Sequence, residues 1–122
     1  MTIDFHSHIL PGIDDGAKTL EEAVQLVTDM ASWGFDRIYC TPHITKKFRN
    51  TSDSIKEKYD LLRNTLEDKG IEVDLRMSAE YRLIPETWPE VLEKNWIMPI
   101  EDKFLLMELP IFNPEDIKDI KP

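Results

Sequence analysis

Two histidines separated by one residue, His6 and His8, follow a short apolar strand running from Ile3 to Phe5. Side chains at i and i+2 of a strand point to the same side, so both imidazoles can converge on one ion. Further residues of metal-binding type recur along the chain. Asp14 and Asp15 lie in the loop after the first strand, His43 follows a second, Glu80 ends a third, and Glu108 lies near the end of a fourth. Each falls at or just beyond the C-terminal end of an expected strand, the edge where parallel α/β folds build their sites. Mixed imidazole and carboxylate ligation suits manganese, iron or zinc better than calcium. Several carboxylates together can bridge neighbouring ions.

Taken singly, each residue has a plainer reading. A lone His-x-His pair is a weak signal, and Asp14-Asp15-Gly16 is an ordinary turn sequence. His43 could be a loop residue bonded to backbone, and Glu80 falls on the polar phase of an amphipathic strand, where a solvated face is the simplest account. Glu108 is harder to dismiss, because an unpaired carboxylate within an apolar strand is costly. Their joint placement at one edge carries the metal-site reading. Cys40 is a poor rival nucleophile. Cysteine phosphatases require an arginine six positions on, but Lys46 stands there and the intervening loop has no glycine, which favours a buried structural thiol. Lys46, Lys47 and Arg49 form a small basic cluster beside His43, either a solvated loop or an aid to attracting phosphate.

The elements that must position these residues alternate between strand and helix patterns. Thr19 and Glu22 read as a capping box for a first helix with Leu20, Ala23, Val24, Val27, Met30 and Ala31 on one stripe, and Gly34 closes it. Ile38 to Cys40 is a second strand, broken at Thr41-Pro42. A second helix runs from about Ser52 or Ser54 to Lys69, with Ile55, Tyr59, Leu62 and Leu66 facing inward and Gly70 at its end. Ile71 to Ala79 alternates as a third strand. Pro85 to Lys94 forms a short helix, and Phe104 to Leu109 a strand covered on both faces. Asn113-Pro114-Glu115-Asp116 announces another helix that has room for about two turns, so the chain reads as truncated. Strands joined by helical crossovers imply parallel pairing and an α/β class.

The sequence has 122 residues, 41% of them hydrophobic, enough for one packed core. Its 15 basic and 24 acidic residues leave a net charge of −9, which argues against nucleic-acid or membrane-surface binding. A phosphorylated substrate stays open, because bound cations can reverse the local sign. A single cysteine, no signal-peptide pattern and no membrane-length apolar run lead to the expectation of a cytoplasmic protein.

The run Asp4-Phe5-His6-Ser7-His8-Ile9-Leu10-Pro11-Gly12-Ile13-Asp14-Asp15-Gly16-Ala17 closely resembles the opening of bacterial protein-tyrosine phosphatases of the polymerase-and-histidinol-phosphatase (PHP) family, the type associated with capsule and exopolysaccharide synthesis. Thr41-Pro42-His43, Ala79-Glu80 and Met107-Glu108-Leu109 fall where that family carries its next motifs. The resemblance implies metal-ligand roles for His6, His8, Asp15, His43, Glu80 and Glu108, with Asp15 a better match than Asp14. It implies up to three metal ions, usually manganese, in a distorted (βα)7 TIM-like barrel, and a metal-bound hydroxide in place of a side-chain nucleophile.

The family's second half carries another His, a late Asp-x-His pair and phosphate-holding arginines, none of which is matched here. A full barrel takes about 250 residues, so residues 1–122 are expected to form one partial domain, its N-terminal half. The expected function is a manganese-dependent phosphatase acting on the tyrosine-phosphorylated tail of a kinase in polysaccharide export. A histidinol-phosphate-type or other small phosphoester hydrolase is the alternative within enzymes. A fragment with residual metal binding that self-associates through open barrel edges is the alternative outside them.

Overall fold

A computed structural model describes residues 1–109 and shows a mixed α/β fold in which every strand pair is parallel. The order is β1 (Ile3–Asp4), α1 (Leu20–Ser32), β2 (Arg37–Cys40), β3 (His43–Ile44), α2 (Ser52–Asp68), β4 (Asp74–Met77), β5 (Glu80–Arg82), α3 (Trp88–Lys94) and β6 (Leu106–Glu108). The helix expected after Asn113 lies outside the described residues.

The helices begin where their caps dictate. The Thr19 side chain accepts from the Glu22 N–H at 3.1 Å, and the Glu22 carboxylate accepts from the Lys18 N–H at 3.1 Å. Thr51 and Ser54 form a reciprocal capping box that starts α2 at Ser52. Ala23 and Val27 of α1 and Ile55, Leu62 and Leu66 of α2 are buried in one cluster with Ile38, Cys40, Leu75, Ala79 and Tyr81. The Tyr59 hydroxyl donates to the Leu75 carbonyl at 2.6 Å and ties α2 to β4. In α3, Pro89 stands in the first turn, where its missing N–H is harmless, and Asn95 takes the left-handed conformation at φ 55° to end it.

The strands fall into two three-stranded sheets, ordered β1-β2-β4 and β3-β5-β6. The break corrects the expectation of a single strand over Ile71–Ala79. The ladder is interrupted in step on neighbouring strands, at Thr41-Pro42 between β2 and β3 and at Ser78-Ala79 between β4 and β5. Pro42 has no N–H with which to continue the pairing, while its carbonyl accepts from the Glu80 N–H at 2.9 Å. Glu80 therefore opens β5 rather than ending the previous strand, and it pairs with His43 on one side and Leu106 on the other. Leu106, Met107 and Glu108 are half-buried, so β6 is not covered on both faces as its apolar run suggested. No helix among the described residues is long and apolar enough to cross a membrane.

Candidate metal centre

The loop from β1 to α1 brings the first residues of the site together by a tight fold-back. The Ala17 N–H donates to the His8 carbonyl at 3.0 Å, and Gly12 N–H donates to the Ala17 carbonyl at 2.9 Å. Gly16 lies so close to His8 that a Cβ placed on it would sit 1.9 Å from the His8 carbonyl oxygen, so no side chain fits. Asp14 is fully enclosed: one carboxylate oxygen accepts from the Gly16 N–H at 2.9 Å, an Asx-type turn. Its other oxygen takes His8 Nδ1 at 2.8 Å and the His43 N–H at 3.1 Å. A second tie comes from Asn50, whose amide nitrogen donates to the carbonyls of Ile13 and His43, both at 2.9 Å. The loop bearing Asp14 and Asp15 is thereby held against the strand bearing His43.

With Nδ1 engaged by Asp14, His8 is left with Nε2 to offer a ligand. Nε2 of His6 lies 3.0 Å from Nε2 of His8 and 2.7 Å from a Glu80 oxygen. Glu80 is buried, contrary to the solvated face that its strand phase suggested. Nδ1 of His43 approaches Glu80 Oε2 at 2.6 Å and Glu108 Oε2 at 3.6 Å, while its Nε2 is 3.5 Å from Asp15 Oδ1. Three overlapping groups result, each with donor atoms within 4.8 Å of one another: His8, Asp14, Asp15 and His43; His6, His8 and Glu80; His43, Glu80 and Glu108.

The donor chemistry fits divalent cations. His43 Nδ1 and Glu80 Oε2 are buried and lie 2.6 Å apart, in a geometry that gives neither a well-directed hydrogen bond. Two enclosed, unsatisfied polar atoms facing each other are costly as they stand. A cation held by both would satisfy them. Asp14 has its oxygens occupied by hydrogen bonds, which fits an orienting partner of His8 better than a ligand. Burial alone would raise its carboxyl, but the hydrogen bonds from His8, Gly16 and His43 prevail and hold it below its ordinary 3.8. The same hydrogen bond raises His8 above 6.5, against the effect of burial.

The sequence profile of the capsular polysaccharide synthesis family CpsB/CapC matches residues 2–121. The chain belongs to the CpsB/CapC family. It is 31% identical over 109 residues to CapC of Staphylococcus aureus, covering 88% of this chain and 43% of that protein. With the tyrosine-protein phosphatase CpsB of Streptococcus agalactiae it shares 35% over 107 residues, covering 87% and 44%. A chain from the crystal structures of YwqE from Bacillus subtilis and CpsB from Streptococcus pneumoniae, named there as metal-dependent tyrosine phosphatases, superposes with a TM-score of 0.81 at 26% identity, over 96% of this chain and 49% of that one. The present chain thus spans less than half the length of the curated relatives it matches.

In this CpsB/CapC chain, the six residues singled out as ligands, His6, His8, Asp15, His43, Glu80 and Glu108, are distributed over three groups that share His8, His43 and Glu80. The orienting role of Asp14 and the pairing of Glu108 with Arg82 at 2.8 Å were not anticipated. Asp14 carries a legible clue, since an Asp two residues before a glycine readily forms an Asx turn. The Arg82 pair depends on the β5–β6 register, which places Arg82 opposite Glu108. Glu108 is therefore not an unpaired carboxylate: one oxygen meets Arg82 and the other faces His43. Cys40 is fully buried, and burial pushes its thiol far above the usual range, so a nucleophilic thiolate is ruled out.

Proposed function

We propose that this chain supplies His6, His8, Asp15, His43, Glu80 and Glu108 to a manganese centre of a phosphoester hydrolase, a tyrosine-protein phosphatase acting on a phosphorylated kinase of capsule or exopolysaccharide synthesis. The observation that carries this reading is the buried pair His43 Nδ1 and Glu80 Oε2, unsatisfied within three overlapping donor groups. The relatives' names, tyrosine-protein phosphatases, support a phosphotyrosine-protein substrate. The parallel βα order and the superposition on nearly half of a longer chain support an N-terminal portion of a distorted (βα)7 barrel.

When bound, cations of this kind neutralise phosphoryl charge and make water nucleophilic near neutral pH. The chain's own residues do the remaining work. Asp14 fixes the His8 tautomer and ring orientation, leaving Nε2 to face the site. Arg82 holds one Glu108 oxygen, so the carboxylate presents the other toward His43. Glu80, like His8 and His43, is common to two groups, and its two oxygens, one near His6 and one near His43, would let it serve both.

The test is manganese titration of the 122-residue chain by calorimetry, followed by turnover of p-nitrophenyl phosphate. We expect manganese to bind and turnover to be at most trace, because the chain has three histidines in all and each is already engaged. Absence of manganese binding would overturn the ligand assignment. Robust turnover would overturn the view that further ligands are needed.

A further inference from the structure

The loop between β3 and α2 carries three cations, Lys46, Lys47 and Arg49, and none of them joins an ion pair among the described residues. This is unexpected in a chain with 24 acidic residues and a net charge of −9. The loop is well ordered by its own bonds. The Thr45 N–H donates to the Phe48 carbonyl at 2.9 Å, the Phe48 N–H to the Thr45 hydroxyl at 2.9 Å, and the Asn50 N–H to the Phe48 carbonyl at 2.8 Å. Its Phe48 ring lies against the His43 imidazole, centroids 5.7 Å apart and nearly parallel at 15°, with Lys47 Nζ 5.3 Å from the same ring. The cations are therefore presented from a fixed frame that leans on a candidate ligand.

A cleft of about 360 Å³ opens between this loop and the metal centre. It is lined by Asp15, His43 and Glu108 of the candidate centre and by Lys46, Lys47 and Phe48 of the loop. Its size is at the lower end for a ligand site, about 300–1,000 Å³. Arg82 also borders the cleft but is committed to Glu108. The cleft's two carboxylates belong to the ligand set and would be offset by bound cations, which leaves Lys46 and Lys47 as cleft cations without a carboxylate partner among the described residues. We propose that Lys46 and Lys47 select protein substrates with an anionic side chain, a carboxylate or a second phosphate, beside the phosphorylated tyrosine. This assignment rests on the phosphatase reading and adds a sequence preference to it.

The experiment measures fluorescence anisotropy of labelled phosphotyrosine peptides binding the manganese-loaded chain. Flanking residues are glutamate, serine or a second phosphotyrosine. The protein's net charge should repel anionic flanks, so the sign of the preference is itself diagnostic. We expect glutamate or phosphotyrosine flanks to tighten binding roughly fivefold over serine, the size of two exposed ion pairs. The stronger of the two identifies the anion. K46A/K47A should abolish the preference while leaving manganese affinity unchanged, and K46R/K47R should restore it. A wild type without preference, or a preference that survives K46A/K47A, would overturn the proposal. An unphosphorylated glutamate-rich peptide, titrated with manganese bound, reads the lysines apart from the phosphate. Binding that weakens in K46A/K47A supports the anion preference even if the phosphatase reading fails, and unchanged binding or none counts against it.

Discussion

Asp14 and Gly16 each act on His8, one through a hydrogen bond and the other through lack of bulk, and their substitutions should differ accordingly. Asp14→Asn keeps the shape but removes the charge that holds Nδ1, so manganese affinity in a calorimetric titration should fall about 10- to 100-fold. Gly16→Ala drives a Cβ into the His8 backbone and should cost about 3 kcal/mol in denaturant unfolding as well as manganese affinity. Gly34→Ala is the control. It meets no atom, but at φ 98° it is strained, so stability should drop by about 1–2 kcal/mol with metal binding intact. The two titrating partners also set a pH dependence. Asp14 is held below 3.8, so its contribution to stability is present above that value and lost as pH falls. His8 is held above 6.5, so its contribution is complete below that value and lost as pH rises through the folded-state value. Thermal unfolding of the metal-free chain should therefore peak between these limits. Manganese affinity should rise with pH across the upper one, because the ion displaces the His8 proton.

The elements were legible to different degrees, for physical reasons. Both long helices announce themselves through local chemistry: Thr19 and Thr51 cap them, and their apolar stripes face the same cluster. Removing a cap tests this directly. Thr51→Ala should lower stability by about 1 kcal/mol in denaturant unfolding, with no effect on manganese affinity. The strands were harder, because the cause of the break between the two sheets lies on neighbouring strands. Alternation over Ile71–Ala79 assigns Glu80 to the solvated phase, yet Ser78, Ala79, Glu80 and Tyr81 are all buried. Period-2 logic holds within one ladder and fails where the chain passes from one ladder to the next. The donor residues and their shared edge were readable from type and spacing. The unsatisfied His43–Glu80 contact, which gives them chemical meaning, depends on the register His43 opposite Glu80.

At the scale of the molecule, the end strands of the two sheets are each paired on one side only among the described residues. Phe5 and Phe104 are 45% and 60% exposed and line one apolar hollow with Ile100, Leu105 and Leu106. We propose that this chain self-associates through these surfaces, as unpaired edges and exposed aromatics favour. Light scattering over a concentration series should show a rising mass, and F5S/F104S should lower it. A monomer at all concentrations would count against the proposal.

The amide of Asn50, joined to the carbonyls of Ile13 and His43, settles early what the ion will find. Two segments distant in sequence are tied together by the chain's own bonds, so the loop bearing Asp15 and the strand bearing His43 are positioned without an ion. Donors positioned in advance have little means of rejecting an ion of similar size. Competition among first-row divalent ions at such N/O donors then follows intrinsic affinity, in which zinc exceeds manganese. Zinc should displace manganese from this chain at substoichiometric free concentrations, a result that competition calorimetry can read. The metal carried in a cell would then be set by which ion is abundant where the chain folds, and control of the bound metal would rest with cellular metal supply.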